Sequence, residues 1–235
     1  MIRAIIFDLD GTLADTEPLH CEAFREVFAG ENIQVTRDEY FSRLIGYNDR
    51  DCFTVVLSEH RKPVDAARIS ALMEKKAALY QAMIAGRDVL CPGAEEFVRK
   101  CAERFPLVIV TGTLRAEAEM ILVRAKLRGL FADVIAAEDV ERGKPEPDGF
   151  LAALGRLGFI LRPRPSLRPE ECLVIEDTAA GIEAAHRAGM KVLAVCYTMS
   201  ATDLASAEIV IPSFLQTDLD NILSRFSIVP QSDSE

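Results

Sequence analysis

The chain has 235 residues, a formal net charge of −10, an apolar share of 49%, three histidines and six cysteines. Acidity on this scale excludes a general affinity for nucleic acid or anionic membrane, since both require a basic face. No apolar run reaches the roughly 20 residues that span a bilayer, and the six cysteines, none paired as C-x-x-C, form no Cys/His cluster, so a structural zinc site is not expected.

The first strand is Ala4-Ile5-Ile6-Phe7, followed at once by acidic residues. Nothing before it has the apolar stretch and small-residue cleavage site of a secretory leader, so a cytoplasmic location is expected, with the thiols free and buried. From about residue 16 to 86 the pattern is helical. Pro18 suits a first helical turn, Thr36-Arg37-Asp38-Glu39 is a capping box with Gly46 as a stop, and Asp65 can cap a long helix carrying Ile69, Leu72, Met73, Leu79 and Met83 on one face. Near Pro92-Gly93 the chain returns to short apolar runs alternating with helical patterns. The runs are Leu107-Val108-Ile109-Val110, Val134-Ile135-Ala136, Cys172-Leu173-Val174-Ile175, Val192-Leu193-Ala194-Val195 and a weaker Ile209-Val210-Ile211; the helical patterns cover 94–103, 115–126, 149–157 and 182–188. Continuous apolar runs of this length fit strands buried on both faces of a parallel sheet. Gly189 lies where a helix C-cap belongs. The basic, proline-rich 162–169 reads as a surface loop, and the polar 231–235 as a disordered tail.

The expected fold is therefore α/β: a Rossmann-like parallel-sheet core, residues 1–14 and 90–235, with a small α-helical cap, residues 15–89, inserted after the first strand. An insertion there sits over the sheet edge at which such folds bind ligands, so the cap reads as a lid.

Four strand ends carry polar residues. Asp8-Leu9-Asp10-Gly11-Thr12 follows the first strand; alternation aims residues 8 and 10 the same way, so the two carboxylates can meet a hard cation. A calcium loop is excluded, because its later acidic ligands are missing. Thr111-Gly112-Thr113 offers a hydroxyl and backbone N–H groups at a strand-to-helix turn, which suits a phosphate oxygen. Gly143-Lys144-Pro145-Glu146-Pro147 fixes one lysine in a rigid loop. Glu176-Asp177-Thr178-x-x-Gly181 brings two more acids, although Asp177 also reads as a plain helix N-cap. Each motif alone is ordinary. In a parallel sheet all four share one edge.

As a set, Asp8-Leu9-Asp10-Gly11-Thr12-Leu13-Ala14-Asp15-Thr16, Thr111-Gly112, Gly143-Lys144-Pro145-x-Pro147 and Glu176-Asp177-Thr178-x-x-Gly181-Ile182 resemble the haloacid dehalogenase superfamily in its β-phosphoglucomutase-like branch, over nearly the whole chain. The resemblance implies that Asp8 attacks phosphorus and Asp10 acts as general acid and then base. It implies a Mg2+ ion held by Asp8, the Asp10 carbonyl and Asp177 with Glu176 in support, and phosphoryl oxygens met by Thr111, the Gly112 N–H and Lys144. The Lys144–Pro145 bond is often cis in relatives. A second Asp at position 10 supports phosphate-ester chemistry, since dehalogenases lack it and transport ATPases carry Lys-Thr-Gly-Thr after the nucleophile.

In the cap, the resemblance implies substrate contacts from His20, Arg50 and Lys76, and Arg115 on the core is a further candidate. If Arg50 and Arg115 both face the cleft, a sugar phosphate or bisphosphate would fit. The expected activity is a phosphatase acting on a small phosphorylated metabolite, as a monomer or weak dimer, with no nucleic-acid or membrane partner. Two rivals stay open from sequence alone: a β-phosphoglucomutase-type mutase, which hands the phosphoryl group to a second sugar hydroxyl, and a non-catalytic metabolite-binding protein on the same fold.

Overall fold

The computed structural model describes residues 1–162 and 166–227. Part of the loop read at 162–169, and the tail at 231–235, lie outside the described residues.

Strand β1 (Ala4–Phe7) occupies the middle of a six-stranded sheet. After a long helical excursion come β2 (Leu107–Val110), β3 (Phe131–Ile135), β4 (Cys172–Glu176), β5 (Lys191–Val195) and β6 (Ile209–Ile211). The order is β3-β2-β1-β4-β5-β6, and every adjacent pair is parallel. β1, β2 and β4 are buried along their whole length, which is why their sequences are apolar runs up to Glu176, the last residue of β4. β3 begins three residues earlier than its apolar run predicts. It is an edge strand, and its polar Asp133 is half exposed and pairs with Val108 after a register shift.

Helices cover both faces. α5 (Ala94–Ala102), α6 (Arg115–Arg124) and α9 (Leu219–Ser227) pack on one, with Phe97, Ile121 and Ile222 meeting Ile5 and Phe7; α7 (Asp148–Ile160) and α8 (Ala179–Arg187) pack on the other, with Phe150 and Ile182 meeting Ala4 and Ile6. The alternation of β1 side chains assigns each residue its face. Phe7 anchors the first layer through edge-on contacts with Phe97 at 6.2 Å and Phe131 at 5.9 Å. Burying a side chain of this size contributes roughly 1.5–3 kcal/mol.

The helical excursion contains α1 (Glu17–Gly30), a single turn α2 (Arg37–Glu39) running into a π-helical turn (Tyr40–Leu44), α3 (Asp49–Glu59) and α4 (Ala66–Ile84). The caps are chemical: Thr36 accepts from Glu39 N, Asn48 from Asp51 N and Asp65 from Arg68 N. A third apolar cluster lies within this segment, where Phe53 packs 5.1 Å from both Phe24 and Phe28. The chain leaves and re-enters the sheet through paired backbone, with Asp15 N donating to Val89 O at 2.7 Å and Cys91 N to Leu13 O at 2.8 Å. Among the described residues no helix is long and apolar enough to cross a membrane.

Candidate active site

The chain winds outward from β1 through β2 to β3, then crosses to β4 on the far side of β1. The carboxyl ends of β1 and β4 therefore flank a topological switch point, where a crevice forms between diverging loops. A cleft lies there, its core wall carrying Asp8, Asp10, Thr111, Gly112, Lys144 and Glu176. The opposite wall comes from the helical segment, through His20, Phe24, Tyr40, Gly46, Tyr47 and Asp49.

Asp8 is fixed by its own backbone, whose N–H donates to Ile175 O at 2.9 Å. Lys144 Nζ stands 2.5 Å from both Asp8 Oδ1 and Glu176 Oε1. Burial raises the Asp8 carboxyl well above the usual carboxylate range; Lys144 opposes this, and the charges of Glu176 and Asp10 add to it. Burial disfavours the Lys144 ammonium, but the charges of Asp8 and Glu176 prevail and push its pKa up. The Lys144–Pro145 peptide is cis.

Asp10 is gripped by three residues. Its Oδ1 accepts from the Thr16 hydroxyl at 2.6 Å and lies 3.2 Å from His20 Nε2, and its Oδ2 accepts from the Thr111 hydroxyl at 3.1 Å. Burial alone would raise its pKa; the charge and hydrogen bond of His20, then the Thr16 hydroxyl, bring it down to about 2. The His20 ring is itself held, stacked 4.1 Å from Tyr80.

Glu176 is fully buried and saturated. Its Oε2 accepts from Asp177 N, Thr178 N and the Thr178 hydroxyl at 2.8–2.9 Å, while Oε1 takes Lys144. It thus braces the lysine and the β4 loop. The cap of α8 is Thr178, accepting from Gly181 N at 3.1 Å, so Asp177 is released from the N-cap role. Asp177 Oδ1 instead accepts from the Thr12 hydroxyl at 2.7 Å. Its Oδ2 is buried without a well-directed hydrogen bond, with the Thr198 hydroxyl nearby. Burial, then Glu176 and Asp8, raise the Asp177 carboxyl well above its ordinary value. Gly11, at φ +76°, is required here: a Cβ would lie 2.1 Å from Asp177 Oδ2.

Among the described residues no group of three or more His, Cys, Asp or Glu side chains is arranged to hold a metal by itself. The candidate donors, two carboxylates and the Asp10 carbonyl, are all hard oxygens, and the underpartnered Asp177 Oδ2 is chemically suited to a cation such as Mg2+.

The helical segment closes directly on these loops. Asn48 packs against Gly112, and a Cβ at Gly143 would fall 2.3 Å from Asn48 Nδ2; Gly46 approaches Thr178. The other expected cap and distal contacts fall elsewhere. Arg50 is exposed and does not line the cleft. Arg115 points to β3, donating to Val134 O at 2.7 Å and pairing with Asp139. Lys76 is not solvated: it is fully buried behind the cleft wall, 2.9 Å from Asp49 Oδ1 and 3.9 Å from Glu117 Oε2. Glu17, Asp49 and Glu117 were not singled out from sequence. Acids in first helical turns read as ordinary dipole complements, and only the fold shows that these three are buried.

A family model described as haloacid dehalogenase-like hydrolase matches residues 2–189. Protein CbbY of Rhodobacter capsulatus is 35% identical over 82% of this chain and 84% of its own length. Fructose-1-phosphate phosphatase YqaB of Escherichia coli is 32% identical over 79% and 92%. The crystal structure of β-phosphoglucomutase from Clostridium difficile superposes with a TM-score of 0.83, covering 97% of this chain and 98% of that one; at 24% identity this likeness speaks for the fold alone. The arrangement of Asp8, Asp10, Lys144 and Asp177 at one sheet edge and the match over most of the chain lead to the same place: the chain belongs to the haloacid dehalogenase-like hydrolase family.

Proposed function

We propose that the protein is a magnesium-dependent phosphatase acting on a small phosphorylated carbohydrate through a phosphoaspartate on Asp8, with residues 15–89 serving as its cap. The observation that carries this reading is the pairing of Asp8, held by Lys144, with an Asp10 gripped by Thr16, His20 and Thr111 in the same cleft. The names of two relatives support it, fructose-1-phosphate phosphatase and the phosphorylated carbohydrates phosphatase of Thermotoga maritima.

In the first half-reaction a carboxylate oxygen of Asp8 attacks phosphorus, the bond from phosphorus to the leaving oxygen breaks, and Asp10, whose carboxylate takes up a proton from solvent when the phosphate dianion enters beside it, passes that proton to the leaving oxygen. Thr111, the Gly112 N–H and Lys144 receive the phosphoryl oxygens, where charge collects in the transition state. In the second half a water loses its proton to Asp10 and attacks phosphorus, and the bond to Asp8 breaks, releasing inorganic phosphate. Asp8, the Asp10 carbonyl and Asp177 would hold Mg2+, with Glu176 keeping Lys144 and the β4 loop in place. When bound, that ion supplies positive charge against the transferring group and the surrounding carboxylates. The fit of the helical wall over Gly112 and Gly143 favours exclusion of bulk water during the first step.

The test is phosphate release from a panel of sugar phosphates, with Mg2+ and with EDTA, on wild type and Asp8→Asn. Magnesium-dependent release lost in Asp8→Asn is expected. Absence of release from every ester, with conversion of β-glucose 1-phosphate to glucose 6-phosphate, would replace this reading with the mutase.

A further inference from the structure

The wall of the cleft that faces Thr111, Gly112 and Lys144 is acidic, and among the described residues lining the cleft no cation is without an acidic partner. Of the side chains lining the cleft, the basic ones are Lys144, held by Asp8 and Glu176, and His20, held against Asp10. The remaining nearby ammonium, Lys76, is committed behind the wall to Asp49 and Glu117. Arg50 and Arg115 lie outside. Two carboxylates of the helical segment do line the cleft, Glu17 and Asp49. Glu17 accepts from the Tyr40 hydroxyl at 2.8 Å. Asp49 is 5% exposed, and its Oδ2 has no hydrogen-bond partner although its Oδ1 is occupied by Lys76. A buried carboxylate oxygen without a donor is costly unless something supplies one.

We propose that Asp49 and Glu17 select the leaving group: they accept hydrogen bonds from its hydroxyls and repel a second phosphate, so the substrate is the monophosphate of a polyol or sugar and not a bisphosphate. Asp49 Oδ2 is itself buried, so a leaving-group hydroxyl reaches it with a small turn of the carboxylate, which would give that atom the donor it lacks. A distal phosphate would meet two carboxylates and no available cation, an arrangement that discriminates by repulsion as well as by contact. The inference rests on the phosphatase reading for its biological meaning, but it is a statement about binding and can be tested as one.

The experiment is calorimetric titration of the Asp8→Asn variant, which keeps the ester intact, with fructose 1-phosphate and with fructose 1,6-bisphosphate in Mg2+ buffer. These ligands share the ester and differ in the distal group. The monophosphate is expected to bind at least about tenfold more tightly. Adding Asp49→Asn should shrink that preference roughly fivefold or more, and Glu17→Gln, the alternative where Asp49→Asn does not fold, should shrink it in the same direction. Equal or tighter binding of the bisphosphate, a preference unchanged by both substitutions, or binding of neither sugar overturns the proposal. Failure of the phosphatase reading shows separately, as absence of phosphate release by wild type from any ester, while the ratio of affinities still decides this one.

Discussion

The carboxylate of Glu176 fills the space into which any side chain at Gly181 would project: a Cβ there would lie 1.8 Å from Oε1 and 1.9 Å from Cδ. Glu176 cannot step aside cheaply, because its two oxygens hold Lys144, two backbone N–H groups and the Thr178 hydroxyl. Gly181→Ala should therefore misplace Glu176 and, through it, Lys144. The expected cost is about 2–4 kcal/mol, typical of forced overpacking with a broken buried network, or a Tm lower by roughly 4–16 °C in a chain of this size. Thermal denaturation followed by circular dichroism, alongside kcat/KM, checks both.

Lys144→Ala leaves Asp8 and Glu176 buried without their shared counter-charge. Breaking a buried pair by removing one partner typically costs about 3–5 kcal/mol, and the transition state loses a cation as well. Activity should fall by at least about a hundredfold. Lys144→Arg should recover stability better than activity, since a planar guanidinium does not reproduce the point charge. Denaturant melts and phosphate-release assays on both variants separate the two effects; wild-type turnover by Lys144→Ala would remove the lysine from the proposed chemistry.

Asp8 and Asp177 are both pushed above the ordinary carboxylate range, by burial first and then by neighbouring acids. A divalent cation that binds between such groups stabilises the folded chain by mass action, about 2.7 kcal/mol at a hundredfold excess over Kd. Mg2+ is expected to raise the Tm of wild type and to have a much smaller effect on Asp177→Asn. This readout needs no turnover. An equal shift in both proteins would place the ion elsewhere.

Much of this arrangement was legible in the sequence for one reason: unbroken apolar runs mark parallel strands, and the residue following each run must lie at the same sheet edge. Asp8, Thr111 and Glu176 are located that way, and Lys144 follows from the next loop. On the helical side only His20, beside Asp10, was legible. Lys76 lies on α4 and meets Asp49 of α3 and Glu117 of α6, a meeting set by how helices pack and not by any spacing along the chain. Arg115 illustrates the converse. Its position after Thr111-Gly112-Thr113 suggests the cleft, but the Val134 carbonyl and the Asp139 carboxylate draw it to the β3 side.

The cysteines give a chemical check on the fold. Cys21, Cys52, Cys91, Cys101 and Cys172 are free and buried, and Cys196 is half-buried. Burial raises each thiol, Cys101 and Cys172 to about 12, so little thiolate forms near neutrality. Iodoacetamide at pH 8 should label Cys196 first and the other five only in denaturant. Rapid native labelling of Cys101 or Cys172, read by peptide mass spectrometry, would contradict this packing.

Lys76 joins the helical wall to the core through Asp49 and Glu117, with the rings of Phe24 and Tyr80 each 5.1 Å from its Nζ. Lys76→Met keeps the apolar stem but removes the charge that both acids share. The loss should be about 3–5 kcal/mol, and Asp49→Asn on that background should restore part of it, a non-additivity that a double-mutant cycle measures. The pH dependence has a definite sign. Burial raises the Glu117 carboxyl, and Lys76 opposes that rise together with the Thr113 hydroxyl and His20, while Asp49 adds to it. A group whose pKa is raised on folding contributes stability that is complete below its unfolded pKa and is lost as pH climbs through the folded one. Without Lys76 the folded pKa of Glu117 moves higher still. Lys76→Met should therefore lose more stability than wild type as pH rises from about 5 to 8, and Glu117→Gln on the same background should flatten the difference. Urea denaturation across that range checks it, and parallel curves for Lys76→Met and wild type would mean that Glu117 does not feel the lysine.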